Sequence, residues 1–113
     1  MADDHSMATA YHLIRNITQW HHDRNLIDGA TDKDQLAKLI QEMGELSDNI
    51  CKGKDVADDI GDMIVVLINI AERNNVSLEE CLLNAWDDIK DRKGKMVDGI
   101  FTVSLYTSDA ADE

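Results

Sequence analysis

Leu39-Ile40-Gln41-Glu42-Met43-Gly44-Glu45-Leu46 and Val56-Ala57-Asp58-Asp59-Ile60-Gly61-Asp62-Met63-Ile64-Val65-Val66-Leu67 decide how this chain is read. Apolar residues recur at helical spacing in both stretches. Each also carries an acidic i,i+3 pair, Glu42 with Glu45 and Asp59 with Asp62. That spacing puts both acids of a pair on one helix face, where like charges repel. Asp62 is followed at once by the apolar run Met63 to Ile68. A charge there is costly to bury unless it is paired or metal-bound. Two such pairs turned toward each other would make an all-oxygen site for a hard divalent cation.

Outward from these stretches the pattern stays helical. The spacing predicts a first helix over about Ala8–Arg24, with Leu13, Ile14, Ile17 and Trp20 as its apolar stripe. Asp28-Gly29 marks a connector. Thr31 and Asp34 form a weak capping box for the second helix, which ends near Lys52-Gly53. Asp55 caps a third helix reaching about Arg73, and its apolar second half calls for burial on more than one side. Ser77 and Glu80 open a fourth helix, Leu78 to about Asp91. Beyond Gly94, Met96 to Val103 reads as an extended arm or a short hairpin around Asp98-Gly99. Residues 1–7 read as a loose leader, 8–103 as one domain, and 104–113 as a tail of non-native appearance. Gly44 and Gly61 each precede the second acid of a pair, at roughly 1 kcal/mol of helix propensity apiece. A close helix–helix approach would justify them.

The 113 residues suit one core, and 43% hydrophobic with 30% charged composition suits a folded chain. The net charge of −12 argues against a nucleic-acid backbone or an anionic membrane as partner. It leaves room for a phosphate substrate, because a bound Mg²⁺ reverses the local field. No apolar run is long enough to span a bilayer, and the two cysteines read as thiols of a cytoplasmic protein. Cys51 and Cys81 read as reduced thiols, buried as small hydrophobes. His21 and His22 lack partners at zinc-ligand spacing and read as surface or pocket-rim residues. Trp20 reads as core before it reads as a base-stacking platform. Lys90, Arg92, Lys93 and Lys95 form the dense basic cluster of an acidic chain. They are either cations favouring a helix C-terminus or contacts for a triphosphate. Lys33 and Arg24 are weaker candidates for the same role. Asp58 reads as a solvent-facing neighbour of the acids or a substitute ligand.

Glu42-x-x-Glu45, a spacer, and Asp59-x-x-Asp62 resemble the E-x-x-E, E-x-x-D signature of the MazG-like all-α nucleoside triphosphate pyrophosphohydrolases, in the short form of bacteria and phages. The resemblance runs from about Ile17 to Phe101. It takes in Trp20-His21-His22-Asp23-Arg24, Lys33 and Ile89-Lys90-Asp91-Arg92-Lys93-Gly94-Lys95-Met96-Val97-Asp98-Gly99. Two positions depart from it: Asp59 stands where the family usually has Glu, and Asp87 where members often have Asn. The resemblance implies an all-α, four-helix bundle-like domain that cleaves a nucleoside triphosphate to monophosphate and pyrophosphate with Mg²⁺, or Mn²⁺ in its place. It implies metal ligation by Glu42, Glu45, Asp59 and Asp62, with Glu42 and Glu45 catalytic. Substrate contacts would come from Lys33, Lys90, Arg92, Lys93 and Trp20.

The resemblance also implies at least a dimer, and a homodimer or homotetramer is expected. Part of the band Met63, Ile64, Val66, Leu67 and Ile70 should then lie at a subunit interface. A phosphoribosyl-ATP pyrophosphohydrolase-like enzyme and a non-catalytic helical interaction module remain open as alternatives. A carboxylate-bridged di-iron bundle is disfavoured, because neither acid pair is Glu-x-x-His.

Overall fold

Helix α1 (Ala10–Asp23) begins where the Thr9 hydroxyl accepts the His12 N–H at 3.2 Å. The structure, a computed structural model, describes residues 9–104. The expected leader 1–7 and residues 105–113 of the expected tail lie outside the described residues. The connector after α1 turns at Asn25, whose φ of 56° is left-handed, and Leu26 N–H bonds back to His21 O at 2.9 Å.

Helix α2 (Asp32–Cys51) opens on the predicted capping box. The Thr31 N–H donates to Asp34 Oδ2 at 3.0 Å, and the Asp34 N–H to Thr31 Oγ1 at 3.1 Å. Two orphan donors of the first turn are thereby answered. Helix α3 (Ala57–Arg73) starts one residue past Val56, with Asp55 Oδ1 accepting the Ala57 N–H at 3.0 Å. Helix α4 (Leu78–Ile89) stops short of the predicted Asp91.

The chain divides into two compact units, Met1–Leu78 and Glu79–Glu113. In the first, α2 and α3 form an antiparallel hairpin tied at both ends. Arg73 and Asn74 bond to Asp32 at one end, and Asn49 bonds to Asp59 at the other. Helix α1 lies on α3 through His21, whose ring reaches Val65 O and Asn69. The buried apolar side chains among the described residues are Ile27, Val66, Ile68 and Ala71. Of the expected α3 band, Val66 is buried, Met63 and Ile70 are half-buried, and Ile64 and Leu67 are exposed.

The second unit holds most of α4 and a two-stranded antiparallel hairpin, β1 (Gly94–Val97) and β2 (Ile100–Val103). Val97 pairs with Ile100, leaving the two-residue loop Asp98-Gly99. Both residues have positive φ, 51° and 82°. That is what a type I′ hairpin turn requires, and it settles the choice between arm and hairpin. A mostly helical chain is therefore observed, with a small sheet added. Among the described residues no helix is long and apolar enough to cross a membrane. Among the described residues no atom would lie within 4 Å of a Cβ at Gly44 or Gly61, so the close approach expected there is not made among them.

Candidate functional site: carboxylates of the α2/α3 hairpin

The inner face of α2 reads Leu39, Glu42, Leu46 and Asn49, the i,i+3/i+4 rhythm of a helix packed against a neighbour. Glu42 is only 7% exposed on this face, and Asp59 on α3 only 5%. Burying ionised groups costs several kcal/mol unless something answers them. One oxygen of each is answered. Lys38 Nζ stands 3.2 Å from Glu42 Oε2, and Asn49 Nδ2 donates to Asp59 Oδ2 at 2.7 Å. Glu42 Oε1 is buried and has no hydrogen-bond partner.

Asp62, half-buried, feels the others. Loss of hydration raises its carboxyl pKa above the ordinary value. The charges of Asp58, Glu42 and Asp59 raise it further, and Lys38 opposes them. Asp58 is exposed and its charge reaches Asp62, as expected of a solvent-facing neighbour of the acids. Glu45 is exposed and is not among the charges that press on Asp62. Among the described residues no three His, Cys, Asp or Glu side chains lie close enough together, as they stand, to hold a metal ion. The structure therefore groups Glu42, Asp59, Asp62 and Asp58 electrostatically, with Lys38 and Asn49 seated on two of their oxygens.

The donor set suits a hard cation all the same. It is oxygen only, and it includes a buried carboxylate oxygen with nothing bound to it. Lys38 and Asn49 escaped the reading of the sequence. Their signal was present: Lys38, Glu42, Glu45 and Asn49 follow one another at steps of four, three and four along α2.

The other predicted residues are scattered. Lys33 is exposed in the first turn of α2. Lys90 pairs with Asp87 at 3.2 Å and Arg92 with Asp88, so both are answered within their own unit. Lys93 and Lys95 are exposed. Trp20 is 43% exposed and does not belong to the core as expected. Its ring carries the Arg24 guanidinium 4.5 Å from its centre and forms one wall of an apolar groove of about 320 Å³. Leu13, Asn16, Ile17 and Val65 complete that groove.

The histidine and cysteine expectations need correction. His21 is buried, not a rim residue. Its Nδ1 lies 3.2 Å from Asn69 Nδ2, which also donates to Leu26 O at 2.9 Å. An amide N–H there makes Nδ1 the acceptor, so Nε2 carries the proton and donates to Val65 O at 2.9 Å. A bare i to i+44 contact of this kind leaves no local trace in the sequence. His22 is exposed and pairs with Glu72 at 2.6 Å. Cys51 and Cys81 are both free and exposed; Cys51 lies on the side of α2 away from Glu42, and α4, which carries Cys81, has no buried residue.

No protein-family model matches the chain, and no solved structure matches it. The chain is similar to the "Uncharacterized 18.2 kDa protein in rep-hol intergenic region" of Haemophilus phage HP1 (strain HP1c1), 42% identical over 72 residues. The match covers 62% of this chain and 44% of the phage protein, so the chain spans less than half of that relative's length. The relative's name gives a size and a map position, and no activity.

Proposed function

We propose that the protein is a cytoplasmic, Mg²⁺-dependent nucleoside triphosphate pyrophosphohydrolase of the MazG-like type, a homo-oligomer that removes or regulates nucleotides. The observation that carries this reading is the buried, unpartnered Oε1 of Glu42 beside the mutually repelling acids of α3. A helix gains nothing by burying an unanswered carboxylate oxygen, at a cost of about 1–3 kcal/mol, unless a cation is to be held there.

Glu42, Asp59 and Asp62 would hold the metal, with Glu45 and Asp58 at its margin. When bound, the ion neutralises phosphate charge and acidifies a water molecule. Lys38 and Asn49 would give up the carboxylate oxygens they now occupy, and Lys38 would remain as a cation beside the phosphates. Glu45, the exposed acid of its pair, would accept the proton of the attacking water. The water oxygen would bond to one phosphorus of the α–β anhydride as its bridging P–O bond breaks, so that one product carries the water oxygen and the other departs as the leaving group, giving monophosphate and pyrophosphate. Trp20 and the groove beside Val65 offer an apolar face to a base, since Val65 follows Asp62 by three residues on α3. Lys33 is an exposed cation of the same unit, in the first turn of α2. Lys90 and Arg92 are committed to Asp87 and Asp88, which leaves them a smaller part than the basic cluster suggested.

The ion pair on Glu42 and the amide on Asp59 also favour a second reading, an inert helical interaction module whose acids are satisfied internally. One assay separates the two. The protein is incubated with a panel of canonical and modified nucleoside triphosphates and Mg²⁺, and pyrophosphate and monophosphate are measured. Release of both, lost in Glu42→Gln, is the expected result. No product from any substrate, together with no Mg²⁺-dependent stabilisation, would leave the interaction module.

A further inference from the structure

Lys52 pairs with Asp48 on α2, and Lys90 with Asp87 and Arg92 with Asp88 at the end of α4. In each of these pairs the acid comes first in the chain, the order that suits a helix, and both partners are well exposed. Lys38 and Glu42 stand in the reverse order, which supports a helix less well. Their surroundings differ too. The Glu42 side chain is 9% exposed, and that of Lys38 is 50% exposed. Lys38 Nζ stands 3.2 Å from Glu42 Oε2 and leaves Oε1 bare. Its charge also reaches Asp62 across the seam, where it opposes lost hydration and the charges of three acids. One ammonium on a flexible four-carbon stem, half in water, thus stands among the acids proposed to hold a divalent ion.

Resting on the metal site proposed above, we propose that Lys38 couples metal to substrate: it competes with the divalent cation for Glu42, and the triphosphate draws it off, so that each ligand tightens the other. A Glu42 oxygen cannot hold the ammonium and the metal at once. Metal binding therefore requires the ion pair to open, and the apparent affinity falls by the fraction of time the pair is open. A pair closed about nine-tenths of the time weakens metal binding about tenfold. A triphosphate gives Lys38 a second anion to meet, and Lys38 turned outward leaves Glu42 to the metal. By linkage the metal, in displacing Lys38, favours the triphosphate by the same factor. Asn49 plays no such part. It seats a neutral amide on Asp59 at 2.7 Å and has no charge for a phosphate to draw away. Lys38 is on this view a positioning residue toward the metal and a substrate contact toward the phosphates.

Calorimetric titration of the chelator-treated full chain with Mg²⁺ alone, as wild type, Lys38→Met and Lys38→Arg, reads the competition. Lys38→Met should bind Mg²⁺ at least about fivefold more tightly than the wild type. Lys38→Arg keeps a cation beside Glu42 and should bind Mg²⁺ no more tightly than the wild type. At saturating Mg²⁺, KM for a hydrolysed nucleoside triphosphate should rise at least about fivefold in Lys38→Met and return toward the wild-type value in Lys38→Arg. The opposite signs carry the distinction, because a Lys38 that only braced the helix would weaken both when lost. Mg²⁺ affinity that is unchanged or weaker in Lys38→Met overturns the role of Lys38 and leaves the metal site standing, and an unchanged KM overturns that role as well. A wild type that binds no Mg²⁺ removes the metal site, and the role of Lys38 with it. If Lys38→Met does not fold without metal, Lys38→Gln, which leaves an N–H donor for Glu42, decides by the same two readings.

Discussion

At the start of α2, both oxygens of Asp32 are answered. Arg73 Nε donates to one at 2.8 Å and Asn74 Nδ2 to the other at 3.1 Å. These hydrogen bonds, Arg73 first, hold its carboxyl below the ordinary pKa. Midway along the same helix, Glu42 is buried with one oxygen bare, and across the seam Asp62 is raised by lost hydration and by its acidic neighbours. One hairpin thus treats its acids in two ways. The Asp32 end is built as a structural clasp, complete as it stands. In the Glu42 region one buried carboxylate oxygen has no hydrogen-bond partner, and the proposed metal site rests on that oxygen. Where a fold satisfies a carboxylate, removing it costs stability; where a fold leaves one bare, removing it costs function.

Activity should separate the two regions most strongly. Glu42→Gln should lower pyrophosphate release by at least about 100-fold while the metal-free protein stays folded. Asp32→Asn should leave turnover within about twofold, since it touches nothing in the site. Equal losses in both variants would erase the distinction between clasp and site.

Stability should rank the other way. Asn69 is fully enclosed, and its amide serves both His21 and Leu26 O. Asn69→Ala leaves those two acceptors unanswered and should cost about 3 kcal/mol in denaturant unfolding. Arg73→Ala frees the Ile27 carbonyl that Arg73 also serves and should cost about 1–2 kcal/mol. Asp62→Asn should instead raise the melting temperature of the metal-free protein, because it removes a charge that its neighbours oppose.

The smallest expected effect is in pH. Asp32 and Asp34 have folded pKa values below the ordinary 3.8, so their contribution to stability is present above that value. It is lost as pH falls through their lowered values. Asp62 has the opposite sign. Its folded value is raised, so its penalty is absent below 3.8 and grows as pH rises through the raised value. Asp32→Asn should therefore flatten the acid limb of the stability curve, and Asp62→Asn should steepen it. Thermal melts between about pH 2 and 6 read both slopes.

Local chemistry made much of the fold legible before any coordinates. Thr31 and Asp34 announce a helix start because a capping box is written in four residues. Asp98-Gly99 announces a hairpin because so few residues accept two positive φ values in succession. The apolar rhythm of α2 and α3 and their two acid pairs were equally plain. What stayed hidden is what depends on rotation and on distance in the chain. Lys38 lies on the stripe of Glu42, but a lysine four residues before a glutamate is too common to stand out. His21 meets Val65 and Asn69 across more than forty residues, so its burial had no local sign. Residue type alone points Cys51 inward, although it falls on the exposed side of α2. Trp20 was read as core by the same habit, and the structure shows it as the wall of an open groove.

In the proposed site, Glu42 Oε1 and the mutually repelling acids near it would hold a divalent cation. Thermal melting of the chelator-treated protein with and without Mg²⁺, in parallel with Glu42→Gln and Asp59→Asn, tests it most directly. A ligand that binds only the folded state stabilises it, by about 2.7 kcal/mol at a hundred times its dissociation constant. The wild-type melting temperature should rise and saturate with Mg²⁺, and the rise should be lost in both variants. A wild-type melting temperature indifferent to millimolar Mg²⁺ and Mn²⁺, or a rise that both variants retain, would contradict it.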